Sequence, residues 1–252
     1  MENKTLDILI VEDDLKHLTD AKAEMQKRIE AGIKINVNYA SNLADAMKCT
    51  SEKQYHGIIS DIFFPTGYES EDDKEVKNEI ATIMKKSLYC GIELANKALS
   101  YISTWENGSD DNEILAPIGV NLAEQVKDTT QFIFCTSTYH HGAKTQAVFE
   151  YARQNKIALI DANPLDLDGE DSSKNWSKAY QTLIQNRIKE DLGKIPSISG
   201  NFDEVNNYRK KFNSIISDYR LESDEIITIR ATDDALMEEQ KRDETEMDNI
   251  WI

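Results

Sequence analysis

Two short apolar runs in this chain end abruptly on acid. Leu6-Asp7-Ile8-Leu9-Ile10-Val11 leads into Glu12-Asp13-Asp14, and His56-Gly57-Ile58-Ile59-Ser60 leads into Asp61. Unbroken runs of this length read as strands buried on both faces, the habit of a parallel sheet. Between and after them strand and helix signals alternate. Leu18, Ala21, Met25 and Ile29 recur at helical spacing and predict a helix near residues 15–31. Ile35, Val37 and Tyr39 alternate within a second strand near 33–39, and Ser41 is expected to cap a helix carrying Leu43, Ala44, Ala46 and Met47.

The later part of the chain repeats the alternation. A strand is expected over Gln131-Phe132-Ile133-Phe134-Cys135, a helix over 141–154 and a strand over 156–162. Trp176, Ala179, Tyr180, Leu183, Ile184 and Ile188 then mark an amphipathic helix ending near Gly193. Five β/α units of this kind predict a doubly wound α/β fold, a five-stranded parallel sheet in the order 2-1-3-4-5. Two stretches interrupt it: a charged segment near 66–89 with a helix around 76–88, and a loop with a short helix near 106–128. Beyond Gly193 a helix is expected over 202–219, a strand at Ile226–Ile229 and an acidic, helix-prone end over 233–248, closing on Ile250-Trp251-Ile252. The reading is a domain over 1–193 with insertions and a helical, acidic extension over 194–252. About 60 residues make a marginal independent domain, so the extension is expected to pack on the first domain or on a partner.

If the two acid-terminated strands are neighbours, their carboxylates meet at the carboxyl edge of the sheet, where open α/β sheets bind ligands. Carboxylates gathered there repel one another unless a hard cation lies between them, and an oxygen-rich site suits Mg²⁺. An aspartate held there can also act as a nucleophile towards phosphorus.

Composition narrows the partners. The chain has 252 residues, 40% hydrophobic and 30% charged, with 46 acids against 29 bases and a net charge of −17. A surplus of acid argues against nucleic acid, whose phosphates need clustered Lys and Arg. The apolar runs are strand-sized and the N-terminus has no signal-peptide core, so a cytoplasmic protein without a membrane span is expected. Cys49, Cys90 and Cys135 are odd in number and lack paired spacing, which argues against a disulfide framework or a zinc site.

Taken together, Val11-Glu12-Asp13-Asp14, Asp61 followed by Ile62-Phe63-Phe64-Pro65, Gln131 to Ser137, and Ala158-Leu159-Ile160-Asp161-Ala162-Asn163-Pro164 resemble the receiver domain of two-component response regulators. The resemblance implies that Asp61 accepts a phosphoryl group from a histidine kinase or phosphotransfer protein. It implies Mg²⁺ held by Glu12, Asp13, Asp61 and the backbone carbonyl of Phe63, with Asp14 left to cap the first helix. Thr136 or its neighbour Ser137 would bind a phosphoryl oxygen. Output would run through protein–protein contact by the insertions or the extension, without enzymatic activity of the chain's own.

The pattern departs from the family at two positions. Asn163 stands where the family has a lysine before the proline, and Ile160 stands where many receivers have an aromatic residue. An amide donates a hydrogen bond but brings no charge. A unit charge at about 4 Å is worth on the order of 4 kcal/mol at an effective dielectric near 20. Impaired or unusually Mg²⁺-dependent phosphorylation is therefore expected, unless a loop lysine such as Lys144 compensates. The alternative reading is a pseudo-receiver that binds a protein without phosphate. A phosphohydrolase of the haloacid-dehalogenase kind fits less well, because Glu12-Asp13-Asp14-Leu15-Lys16 lacks its two aspartates one residue apart.

Overall fold

The computed structural model describes residues 5–65, 82, 115–137, 143–160, 173–193 and 202–219. Their strands are β1 (Leu6–Val11), β2 (Ile35–Ala40), β3 (Gly57–Ser60), β4 (Phe64–Pro65), β5 (Leu115–Ala116), β6 (Gln131–Cys135) and β7 (Ala158–Ile160). The helices are α1 (Leu15–Glu30), α2 (Leu43–Glu52), α3 (Ile118–Val126), α4 (Ala143–Gln154), α5 (Trp176–Gly193) and α6 (Phe202–Tyr219). The expected helix at 76–88, the Ile226–Ile229 strand, the acidic end, Cys90, Trp105, His140, His141, Asn163 and Trp251 lie outside the described residues.

Five strands form one all-parallel sheet in the order β2-β1-β3-β6-β7, the doubly wound arrangement expected. Ile8, Leu9, Ile10, Ile58, Ile59 and Ile133 are wholly buried because both faces of the sheet are covered. Leu9, Val11, Ile58, Phe132 and Phe134 pack into one core with Ala46 of α2, Val120, Leu122 and Ala123 of α3, and Val148 and Tyr151 of α4. On the opposite face, Gly57 leaves room for Leu183 of α5, whose side-chain end a Cβ there would overlap. α1 is tied to α5 by Arg28, which donates to Ser177 Oγ at 2.8 Å and stacks its guanidinium 4.8 Å from the Tyr180 ring centre.

Local chemistry sets the element ends. Asp14 has extended backbone and its Oδ1 accepts from the His17 N–H at 3.0 Å, so it caps α1 as expected. The cap of α2 is Asn42 and not Ser41: Asn42 Oδ1 accepts from the Asp45 N–H at 2.8 Å. At the amino edge of the sheet Asp7 binds Lys53 Nζ at 2.6 Å and Asn36 Nδ2 at 3.0 Å, while its N–H donates to His56 Nδ1 at 3.0 Å. His56 holds the start of β3 to β1.

The crossover from β3 to β6 runs through α3, so the short helix expected as part of an addition near 106–128 is a covering helix of the sheet. Its Gly119, Val120, Asn121, Leu122, Ala123 and Val126 are all buried. Before that crossover, β4 and β5 pair antiparallel, Phe64 with Ala116 and Pro65 with Leu115.

By compactness the chain forms two units, Thr5–Leu183 and Ile184–Ile252 with Met1–Lys4, the division falling inside α5. The sequence pattern suggested a break at the end of that helix, after Gly193. In the second unit the Tyr219 hydroxyl at the end of α6 donates to Asp191 Oδ2 at 2.7 Å. Among the described residues, no helix is long and apolar enough to cross a membrane.

Candidate functional site

Register brings the two acidic strand ends together. Val11 pairs with Ser60 across β1 and β3, and the Asp61 N–H donates to the Val11 carbonyl at 2.9 Å. Glu12, Asp13 and Asp61 thus converge at the carboxyl edge of the sheet, and each offers an oxygen within 4.8 Å of the others. Glu12 is fully buried and Asp13 half-buried, while 13% of the Asp61 side chain is accessible. The only cluster of acids, histidines and cysteines among the described residues that could hold a metal is this one.

A buried lysine completes the cluster. Lys174 Nζ binds Glu12 Oε2 and lies 2.8 Å from Asp61 Oδ2, with only 1% of its side chain accessible. It precedes α5, whose first turn is capped by Asn175 Oδ1 accepting from the Lys178 N–H at 3.0 Å. The ring of Trp176 lies 5.9 Å from the ammonium, and the Cys135 thiol at the end of β6 lies against the Asn175 N–H. A lysine set between a helix cap, an indole and the end of a strand has little freedom to leave.

The sequence pattern implied a cluster without its cation, because Asn163 stands before Pro164. That expectation is corrected: a positive charge is present, delivered by Lys174. Asn163 itself lies outside the described residues, as does the side chain of Lys144. In the sequence Lys174 is the only Lys or Arg between Lys156 and Lys178, but nothing local ties it to the acidic strand ends. What hid it was sequence distance, 162 positions from Glu12.

The remaining oxygens are also engaged. Glu12 Oε1 accepts from the Asp14 N–H at 3.1 Å, and Asp61 Oδ1 accepts from the Ile62 N–H at 2.7 Å. Burial raises Glu12 to about 8 against the pull of Lys174, with Asp61 adding to the rise. Burial likewise raises Asp13 to about 6, with Asp61 adding to it against its own backbone hydrogen bond and Lys174. Burial alone would lower Lys174, but Asp61 and Glu12 outweigh it and hold the ammonium protonated. As pH falls, Glu12 and Asp13 take up protons while Lys174 keeps its own.

Fully ionised, three carboxylates and one ammonium leave two negative charges, the complement of one divalent cation. The donors are all hard oxygens, so Glu12, Asp13 and Asp61 fit a hard cation better than a thiophilic one. Phe63, expected to add its carbonyl, follows Asp61 in the loop leading to β4. Thr136 is buried directly beyond β6, its N–H donating to the Ile160 carbonyl at 2.9 Å, and the half-buried Ser137 follows. Since Ser60 pairs with Phe134, Thr136 and Asp61 lie at the same edge of adjacent strands. His17, in the first turn of α1, is lowered by burial and by Lys174 and so stays neutral.

No protein family, no curated protein and no solved structure matches the chain.

Proposed function

We propose that the chain is a cytoplasmic receiver that takes a phosphoryl group on Asp61, from a histidine kinase or phosphotransfer protein, in a Mg²⁺-dependent reaction. The observation that carries this reading is the bridge by Lys174 between Glu12 and Asp61, beside Asp13. It gives one partly accessible aspartate a fixed cation on one side and an acidic, cation-attracting wall on the other.

In the reaction, a carboxylate oxygen of Asp61 attacks phosphorus. A new O–P bond forms as the N–P bond of the donor phosphohistidine breaks, and the electron pair leaves with the imidazole, which takes up a proton. Lys174 is placed to pair with the charge that arrives on the phosphoryl oxygens, while Thr136 or Ser137 supplies a hydroxyl at the neighbouring strand end. A bound Mg²⁺ would supply charge neutralisation between the acids and the phosphoryl oxygens. Output would be protein contact, through the insertions or the C-terminal extension.

A phosphate-independent binding module is the second reading. It is favoured by the fact that Lys174, the Asp14 N–H and the Ile62 N–H already engage all four oxygens of Glu12 and Asp61. Beryllofluoride, which mimics a phosphoryl group on a carboxylate, separates the two. The receiver gives a bound ¹⁹F resonance that requires Mg²⁺ and disappears in Asp61→Asn. No bound resonance in the wild type supports the binding module.

A further inference from the structure

We infer that Gly119 is a positioning residue for Asp61, a role that rests on the proposed phosphoryl acceptance and makes its rate depend on the first turn of α3. The Asp61–Ile62 peptide is a planar unit whose two ends are both held. At one end, the Asp61 carbonyl accepts from the Ser60 hydroxyl at 2.7 Å and packs directly on the bare Cα of Gly119. At the other, the Ile62 N–H donates to Asp61 Oδ1 at 2.7 Å. Tilting the plane at its oxygen end swings its N–H end, and with it the carboxylate whose other oxygen meets Lys174.

Gly119 fits this place for two reasons. A Cβ there would overlap the Asp61 carbonyl oxygen and come within 3.1 Å of Ile62 Cα and 3.2 Å of Ile62 O. These are backbone atoms, so relief requires the peptide or the helix to move. In addition, Pro117 at the start of α3 provides no side-chain cap, and the Gly119 N–H instead donates to the Ile62 carbonyl at 3.0 Å. Helix start and acceptor loop therefore satisfy one another. The pairs Phe64–Ala116 and Pro65–Leu115 join the same two segments one step further out.

The test uses the full chain, with Gly57→Ala as the matched control. At Gly57 the three atoms nearest an added Cβ all belong to the Leu183 side chain, and none belongs to the acceptor loop. Phosphorylation of each variant is timed at saturating Mg²⁺ and saturating acyl-phosphate donor, alongside its melting temperature. Misplacing a reacting group by a fraction of an ångström to an ångström slows Gly119→Ala by about tenfold or more, while Gly57→Ala stays within about twofold at a comparable loss of melting temperature. A wild-type rate in Gly119→Ala, or an equal fall in both variants, overturns the inference.

Should Gly119→Ala fail to fold, Ser60→Ala decides, because it frees the same carbonyl from the other side without adding an atom. It is expected to slow the reaction by about threefold or more at saturation, and a wild-type rate overturns the inference. If the wild type takes no phosphoryl group, the proposed function fails and the Mg²⁺ dissociation constant becomes the readout. Positioning then predicts about tenfold weaker binding in Gly119→Ala and unchanged binding in Gly57→Ala, and equal affinities overturn it.

Discussion

Lys174 Nζ lies 2.8 Å from Asp61 Oδ2 and binds Glu12 as well, so one ammonium joins the ends of β1 and β3 from the start of α5. The contact brings the residue two before α5 into the site, while the helix covers the sheet. It also decides which changes at this edge are costly, because Glu12 and Lys174 are both out of reach of water.

Removing the lysine strands buried acid. Lys174→Met is expected to lose about 3–5 kcal/mol of unfolding free energy without Mg²⁺ at a pH above about 8, where Glu12 is ionised, the usual cost of leaving one partner of a buried pair. Adding Glu12→Gln to that variant should recover much of the loss, because the double variant holds one buried charge fewer. Urea unfolding of the two single variants and the double measures the coupling. Simple additivity would show that the ion pair contributes nothing.

Protonation gives a second prediction. Glu12 is raised to about 8 and Asp13 to about 6, so the folded, metal-free protein holds protons that the unfolded chain has released. Stability from these groups is full below their ordinary carboxylate range and is lost as pH rises through about 6 and then about 8. Mg²⁺ competes with the protons, so its stabilising shift in melting temperature should grow across the same window. Melting curves with EDTA and with Mg²⁺ at several pH values check this, and a Mg²⁺ shift independent of pH would refute it.

Asp13 and Asp14 are adjacent but have different tasks. Asp14→Ala removes the cap of α1 and is expected to cost about 1 kcal/mol with Mg²⁺ affinity unchanged. Asp13→Asn removes a cation ligand and some repulsion, so Mg²⁺ binding weakens while metal-free stability holds or rises. Calorimetric titration and urea unfolding read the two effects separately. The reverse assignment would show Asp14 as the ligand.

Trp176 offers an optical reporter. Its ring is buried and lies 5.9 Å from the Lys174 ammonium, so a change in that ion pair alters the field at the indole. Mg²⁺ should change tryptophan emission in a saturable way, and Trp176→Phe should remove the change although Trp105 and Trp251 remain. Persistence of the signal in Trp176→Phe would place its source elsewhere.

The sheet was legible because buried parallel strands leave unbroken apolar runs, as in Ile8-Leu9-Ile10-Val11, and acid marks where they end. The buried face of α5 was legible for a similar reason: Trp176, Ala179, Tyr180, Leu183, Ile184 and Ile188 fall at helical spacing and are all buried. α3 was not read as a covering helix because it has no side-chain cap and is buried on most sides, which blurs amphipathic spacing. Glu12, Asp13 and Asp61 could be paired from strand order alone. Lys174 could not, since its place depends on how the chain between β7 and α5 returns to the sheet, and local pattern carries no record of that path.

The most direct test of the account is the intact mass of the full chain after incubation with a small acyl-phosphate donor and Mg²⁺, beside Asp61→Asn. The account predicts a gain of one phosphoryl group in the wild type and none in Asp61→Asn. No gain in the wild type, or the same gain in both proteins, would contradict it.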